Sequence, residues 1–512
     1  MKKTLRFLFL ALCVAVACLS FACNPGGGGD REGDDKIPEQ LDDSDRSGWV
    51  LRERETFPAG SKLRVKFFNG GYGRAWIDAM KTRFEADYPT VEVTLIASNQ
   101  EADFTTLLGT ALDGTPDDIY ICHNIPWEKL AKQGKIANLD SVYNAEIYHD
   151  DNTDLPVRFL DRVCTSSLNS VRFEGSYYKV PEVQGAGGIA YNKALFDANG
   201  WTLPTTYAEL ITLCETISAS GAKTKDGETV YPFVWSGTEA YLWDSLVYDW
   251  WVQLAGTDEF NRFMRFEDKA VFNPDEYPYL KQAWAYWYDL VCGRQSFSHP
   301  QSLAFSNLQC NMAFAAGQAA MMPATCWVAN EIGADILSQF QCDIGLASTP
   351  FVPDAKRDAE GKPIRVSYDL AGKDSIVVAQ KGKNKAVAME FLKWMSEEEN
   401  AVLFPKNTNG LLLAMRYDFD GLLRNVAEST WETDMFNILK DSTRFNLYSS
   451  SPMVYLAGTP LSPYPDGNYY GEAFEYYGDS AKPVRTPDVV FDAVWERMDR
   501  DWDMMRAAVG LS

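Results

Sequence analysis

The stretch KLRVKFFNGGYGRAWIDAMKTRFEADYPTVEVTL, residues 62–95, holds a strand, a glycine loop, a helix and a second strand in succession. Leu63, Val65 and Phe67 alternate with Arg64 and Lys66, the two-residue period of a strand with one buried face. Asn69-Gly70-Gly71-Tyr72-Gly73 is a loop. Ile77, Met80, Phe84 and Tyr88 then recur at helical spacing, and Pro89 stops the helix. Val91, Val93 and Leu95 alternate again. Working outward, Phe104, Leu107, Leu108, Ala111 and Leu112 predict another helix, and Ile119 to Cys122 an apolar strand. This β-α-β-α-β order implies an α/β fold, its sheet parallel or mostly parallel with helices on the faces.

Farther along, Val171 to Phe173 and Tyr177 to Val180 flank Glu174-Gly175-Ser176 as a hairpin. Helices are expected over Ala208 to Ser220, Leu242 to Leu254 and Tyr279 to Cys292. A strand follows at Ser375 to Ala379 and a helix from Lys385. The last helix opens at Thr486-Pro487-Asp488, a capping threonine with proline in the first turn.

The N-terminus is not part of this pattern. Lys2, Lys3 and Arg6 precede an uncharged run from Phe7 to Ala22, too short for a membrane span of about 20 residues. Ser20-Phe21-Ala22-Cys23, then Asn24-Pro25 and four glycines, resembles a lipoprotein export signal, with Cys23 receiving the lipid. Cys18, after Ala15-Val16-Ala17, is a competing site. Residues 1–22 are thus expected to be a signal peptide, and 23–60 an anchor and flexible linker, poor in apolar residues.

With 48 basic against 71 acidic residues, the net charge of −23 argues against nucleic acid, whose phosphates need clustered Lys and Arg. Of ten cysteines, Cys13, Cys18 and Cys23 belong to the leader, and the other seven show no CxxC spacing. With three histidines besides, a dedicated metal site is not expected, nor any other cofactor. An odd number of cysteines cannot all pair within one chain. Most read as small buried hydrophobes.

Four stretches carry a family resemblance: 67–89 with its following strand; YKVPEVQGAGGIAYNKALF (178–196) continued by GWTLPTTY (200–207); MAFAAGQAAMM (312–322); and GKDSIVVA (372–379) running into NKAVAMEFLKWM (384–395). Together they resemble the extracellular solute-binding proteins of carbohydrate ABC importers, of the maltodextrin-binding type, over nearly all of residues 61–400. Residues 405–485 match poorly and are a candidate insertion.

The resemblance implies a two-lobed periplasmic-binding-protein fold. Each lobe would hold a mixed, mostly parallel sheet, with three hinge crossings near Pro181 to Gln184, Ala324 to Trp327 and Ala371 to Asp374. Lobe one would be 61–182 plus 327–372, and lobe two 183–325 plus 376–512. The implied function is capture of a mono- or oligosaccharide by hinge closure, outside the cytoplasm, and delivery to permease subunits. The chain is then a binding protein rather than an enzyme, expected to be a monomer held to the membrane by its lipid.

A sugar offers hydroxyls to polar side chains and a C–H face to an aromatic ring. Ligands of open α/β sheets sit beyond the carboxyl ends of strands. The loops there offer Asn69, Tyr72, His123 and Asn124, while the crossings offer Glu182, Gln184 and Asp374. Trp127, Trp235, Trp243, Trp251 and Trp327 lie in loops or at element ends and are the aromatic candidates. Trp284, Trp287, Trp394 and Trp502 sit on apolar helix faces and are assigned to the core. Gly185 to Gly188 need only a close backbone approach or a turn. Other solutes on the same fold remain open: a polyamine, a peptide or a glycerol phosphate, the last wanting convergent Arg or Lys. A secreted glycoside hydrolase would need two facing carboxylates, but no GxSxG or HExxH motif is present.

Overall fold

Leu63, Val65 and Phe67 are buried and Lys62 and Arg64 exposed in the first long strand, as the alternation requires. The structure, a computed structural model, describes residues 40, 48–151, 156–369, 374–446, 456, 461, 470, 486–509 and 511. The signal peptide, Cys23, the third crossing up to residue 373 and most of 447–485 lie outside the described residues.

Nine strands build the two larger sheets. They are β1 (Ser61–Phe68), β2 (Val91–Ser98), β3 (Ile119–His123), β4 (Val180–Pro181), β5 (Gly188–Asn192), β6 (Tyr231–Phe233), β7 (Ala319–Ala324), β8 (Ile344–Ala347) and β9 (Asp374–Val378). The principal helices are α1 (Ala75–Asp87), α2 (Tyr207–Ser220), α3 (Asp244–Ala255), α4 (Tyr279–Tyr288) and α5 (Asn307–Ala315). They continue as α6 (Val328–Ile332), α7 (Lys385–Met395), α8 (Thr430–Asp441) and α9 (Pro487–Ala508).

The first sheet has the order β2-β1-β3-β9-β4 and the second β6-β7-β5-β8. In the first, β1 runs parallel to β2 and β3, while β9 is antiparallel to β3 and β4. In the second, β6 and β7 are parallel, and β5 is antiparallel to β7 and β8. Both sheets are mixed, but neither is mostly parallel as expected. The reason lies in connectivity: β9 enters from the other sheet, not through a local βαβ unit.

Helices α1 and α7 cover the first sheet. The Phe84 ring meets those of Phe391 and Trp394 edge-on, each at 5.1 Å. The second sheet divides two apolar clusters. Ala190, Met322, Ile344 and Leu346 face the one that includes the first sheet's core. Ile189, Tyr191 and Met321 face the other, built with α2, α3, α4 and α9. Opposite faces at successive residues follow from the pleat. Thr206 caps α2 reciprocally with Glu209, and Thr486 caps α9 with Pro487 behind it. The hairpin of Arg172–Phe173 with Ser176–Tyr177 forms where expected.

The chain changes sheet between β4 and β5 and again between β8 and β9. Between β7 and β8 it returns to the same sheet, so Ala324 to Trp327 is not a change of sheet. A third passage runs from α7, packed on β1, α1 and β9, to α8, packed on β8. There Leu412–Leu413 pairs antiparallel with Val183–Gln184. Residues 344–347 therefore belong with the second sheet, and 385–395 with the first, the reverse of the limits expected for 327–372 and 376–512.

The end of the expected linker is also built into the fold. Trp49–Leu51 pairs antiparallel with Glu146–Asp150. Arg52 Nη2 lies 2.7 Å from Glu390 Oε1, and Arg54 Nη2 lies 2.6 Å from Glu397 Oε2. Tyr88 donates its hydroxyl to the same Glu390 oxygen. Arg52 and Arg54, in a charged stretch that reads as solvated chain, find buried partners more than 300 residues away.

Candidate functional site

The loop after β1 and the passage after β4 meet. Tyr72 donates its hydroxyl to Glu182 Oε1 at 2.6 Å. The Glu182 N–H donates to the Asp374 carbonyl at 3.3 Å, and Ala414 N–H to the Glu182 carbonyl at 2.9 Å. Asp374 stands opposite His123 in the register of β9 and β3. Burial raises the Glu182 carboxyl well above its usual range, and the Asp374 charge adds to this; the Tyr72 hydrogen bond pulls the other way. Tyr72 is raised as well, first by burial, then by the charges of Glu182 and Asp374.

At the mouth of the same strands, His123 Nε2 is 3.2 Å from Glu101 Oε1, and Asn124 Nδ2 donates to that oxygen at 3.3 Å. Asn124 takes the left-handed backbone, φ 56°, that asparagine tolerates. Asn69 is half-buried, with its N–H on the Ser98 carbonyl at 2.9 Å. Trp327 is half-buried against both apolar clusters, and a Cβ on Gly71 would stand 4.0 Å from its Cβ. The structure thus groups Asn69, Tyr72, His123, Asn124, Glu182, Asp374 and Trp327 around one end of the first sheet.

The remaining candidates are buried and make structural contacts. Gln184 is fully buried and donates to the carbonyls of Leu413, at 2.8 Å, and Met415. It stitches the third passage to the first. Trp127 is buried, with the Lys179 ammonium 5.4 Å from its ring centre; burial lowers that lysine to about 8. Trp235 is buried and donates to Ser298 Oγ at 2.9 Å. Trp243 packs on Phe233, and Trp251 meets Phe263 edge-on at 4.7 Å. Every residue of α3 is buried except its first, so position along the chain could not show which aromatic faces out.

Among the described residues the aromatic that does face out is Tyr241, 42 % exposed, two positions before Trp243. Desolvation and then the charges of Glu239, Glu331, Asp244 and Glu101 raise its hydroxyl to about 12. Glu331 accepts from Asn307 Nδ2 at 2.8 Å and Asn311 Nδ2 at 3.3 Å. A cavity of about 390 Å³ is lined by Gly70, Gly71, Asn307, Leu308, Asn311, Asn330 and Glu331. None of Glu101, Glu239, Tyr241, Asn307, Asn311 or Glu331 was expected. The one available signal was the i, i+4 spacing of Asn307 and Asn311 on a helix, which puts both amides on one face.

The glycines of the passage serve close approach: a Cβ on Gly185 would fall 2.1 Å from Cys326 Cβ, and one on Gly188 2.2 Å from the Ala347 carbonyl oxygen. Cys122, Cys164, Cys214, Cys292, Cys310, Cys326 and Cys342 are all buried and unpaired. No group of metal-ligating side chains occurs among the described residues. Among them, too, no helix is long and apolar enough to cross a membrane.

Two mixed α/β sheets, joined by chain passages and bordering a polar cavity, define the class of two-lobed binding proteins. Residues 69–402 match the family described as bacterial extracellular solute-binding protein, and the chain belongs to that family. It is a binding protein rather than an enzyme. It is 22% identical over 362 residues to the diacetylchitobiose-binding protein NgcE of Streptomyces coelicolor, covering 68% of each chain. Among solved structures, the GacH receptor of Streptomyces glaucescens aligns at a TM-score of 0.58 and 17% identity, over 88% of this chain and 100% of that one. A chitin oligosaccharide binding protein aligns at 0.57 and 18% identity, over 86% and 99%.

Proposed function

We propose that this chain captures a mono- or oligosaccharide between two lobes that close over it, and hands it to the permease subunits of an ABC importer. Lobe one carries 61–181 with 374–404, and lobe two 188–347 with 430–446 and 486–509. The passages between them act as hinges. The observation that carries the reading is Tyr241: an exposed ring that senses the charges of Glu239, Glu331 and Glu101, of which Glu331 lines the cavity with Gly70 and Gly71. A ring for the C–H face and acceptors for the hydroxyls are what a sugar requires. Each hydrogen bond nets roughly 0.5–1.5 kcal/mol, so several must converge before affinity reaches micromolar. The names of the relatives, a diacetylchitobiose-binding and a chitin oligosaccharide binding protein, support a carbohydrate ligand.

A lipid on Cys23 and the tether after it would hold the monomeric chain at the outer face of a membrane. A glycerol phosphate is disfavoured, because Arg74, the cation nearest the first loop, is already paired with Asp78 at 2.7 Å. Calorimetric titration with a panel of mono- and oligosaccharides tests the reading. Saturable one-to-one binding without product formation is expected. A clear response to a peptide, with none to any sugar, would overturn the ligand class.

A further inference from the structure

Asn307 and Asn311 turn their amide nitrogens to one oxygen, Glu331 Oε2, at 2.8 and 3.3 Å. That fixes both amides, since flipping either would set oxygen against carboxylate oxygen. Their Oδ1 atoms are consequently directed elsewhere, and neither accepts a hydrogen bond among the described residues. Asn311 is 2 % exposed and lines the cavity with Asn307 and Glu331. Buried acceptors are normally satisfied, so two unsatisfied carbonyls on one helix face mark a place for donors.

The charges that act on Glu331 and Tyr241 here are acidic. Glu331 is raised by burial, and Glu239 adds to the shift. Tyr241 senses the charges of Glu239, Glu331, Asp244 and Glu101. A sugar hydroxyl would bring one donor and no charge. An ammonium brings three donors and a positive charge.

We infer that the pocket of Asn307, Asn311 and Glu331 is a subsite for a protonated primary amine on the ligand. Its three N–H groups are shared between the two Asn Oδ1 atoms and the Glu331 carboxylate. Resting on the carbohydrate reading above, the inference makes the ligand an amine-bearing sugar. The same ammonium chemistry is found on aliphatic polyamines, and the test separates the two.

The test is calorimetric titration of the chain at mildly acidic pH with four probes: glucosamine oligosaccharides, their N-acetylated forms, neutral glucose oligosaccharides and spermidine. The glucosamine forms are expected to bind at least about tenfold more tightly than the other sugars. Added salt is expected to erode that preference in the wild-type chain, a readout that needs no variant. E331Q and N311A, checked for unchanged melting, are expected to remove most of it. Equal or tighter binding of the neutral or N-acetylated sugars overturns the inference and leaves the carbohydrate reading standing. Salt- and Glu331-dependent binding of spermidine, with no sugar bound, upholds the amine subsite and overturns the carbohydrate reading. If neither amine probe binds, the subsite is overturned, and the neutral sugars alone decide the wider reading.

Discussion

The Tyr72 hydroxyl donates to Glu182 Oε1 at 2.6 Å, tying the loop after the first strand to the passage that leaves the first sheet. Glu182 Oε2 has no hydrogen-bond partner among the described residues, and the Asp374 carboxylate acts on it from the next strand. A loop facing the cavity and a candidate hinge thus share one buried hydrogen bond.

This pair makes a pH prediction. Burial holds the Glu182 carboxyl protonated well above its ordinary 4.5. Between that value and the folded one, the native chain keeps a proton that the unfolded chain has released, so stability falls as pH rises. E182Q abolishes that slope and still offers Tyr72 an acceptor. Melting curves at about pH 5 and about pH 8 are expected to show the variant gaining on the wild type at the higher pH. A difference independent of pH would contradict this.

A second prediction separates ligand contacts from core aromatics. Y241A removes an exposed ring and is expected to weaken sugar binding about tenfold, with stability changed by no more than about 0.5 kcal/mol. W251A empties a fully buried site packed on Phe260 and Phe263. It is expected to cost about 3–5 kcal/mol in denaturant unfolding. The opposite pattern would restore Trp251 to the site and remove Tyr241 from it.

A third concerns the segment that leads from the expected tether. Glu390 and Glu397 have fully buried side chains, and Arg52 and Arg54 bring the counter-charges. Lys393 Nζ, 2.8 Å from Glu390 Oε2, would remain after R52A. The expected cost is therefore at the low end for a broken buried pair, about 3 kcal/mol by urea titration. A loss below about 0.5 kcal/mol would mean that the N-terminal strand is not fastened by this contact.

A fourth tests the close packing of the first passage. G185A sets a methyl 2.1 Å from Cys326 Cβ, which unlike its Sγ cannot swing away by rotation of the side chain. A loss of about 1–3 kcal/mol is expected on thermal melting. Pairing it with C326A, which frees that space only partly, is expected to recover some of the loss.

Regular alternation at Leu63, Val65 and Phe67 and the helical spacing of Ile77, Met80 and Phe84 made the first sheet legible, because each element buries one face only. Leu412–Leu413 defeats that method. Two residues inside the unbroken apolar run Leu411 to Met415 have no period, and their pairing with Val183–Gln184 is a long-range choice. Of the polar residues that the structure brings together, Tyr72 follows from a strand end, and Glu182 and Asp374 from the crossings that the family resemblance implied. Tyr241 and Trp243 are both aromatic and two residues apart, and only packing decides that one turns out and the other in. Gln184 reads as a ligand donor until the third passage supplies carbonyls for it. Glu331 was invisible because its partners Asn307 and Asn311 lie more than a helix away.

Small-angle scattering of the chain, with and without saturating sugar, is the most direct check on a two-lobed trap. Hinge closure about the passages at 182–187 and 404–430 predicts a smaller radius of gyration with the ligand bound. An unchanged profile under conditions where calorimetry shows the site filled would contradict closure.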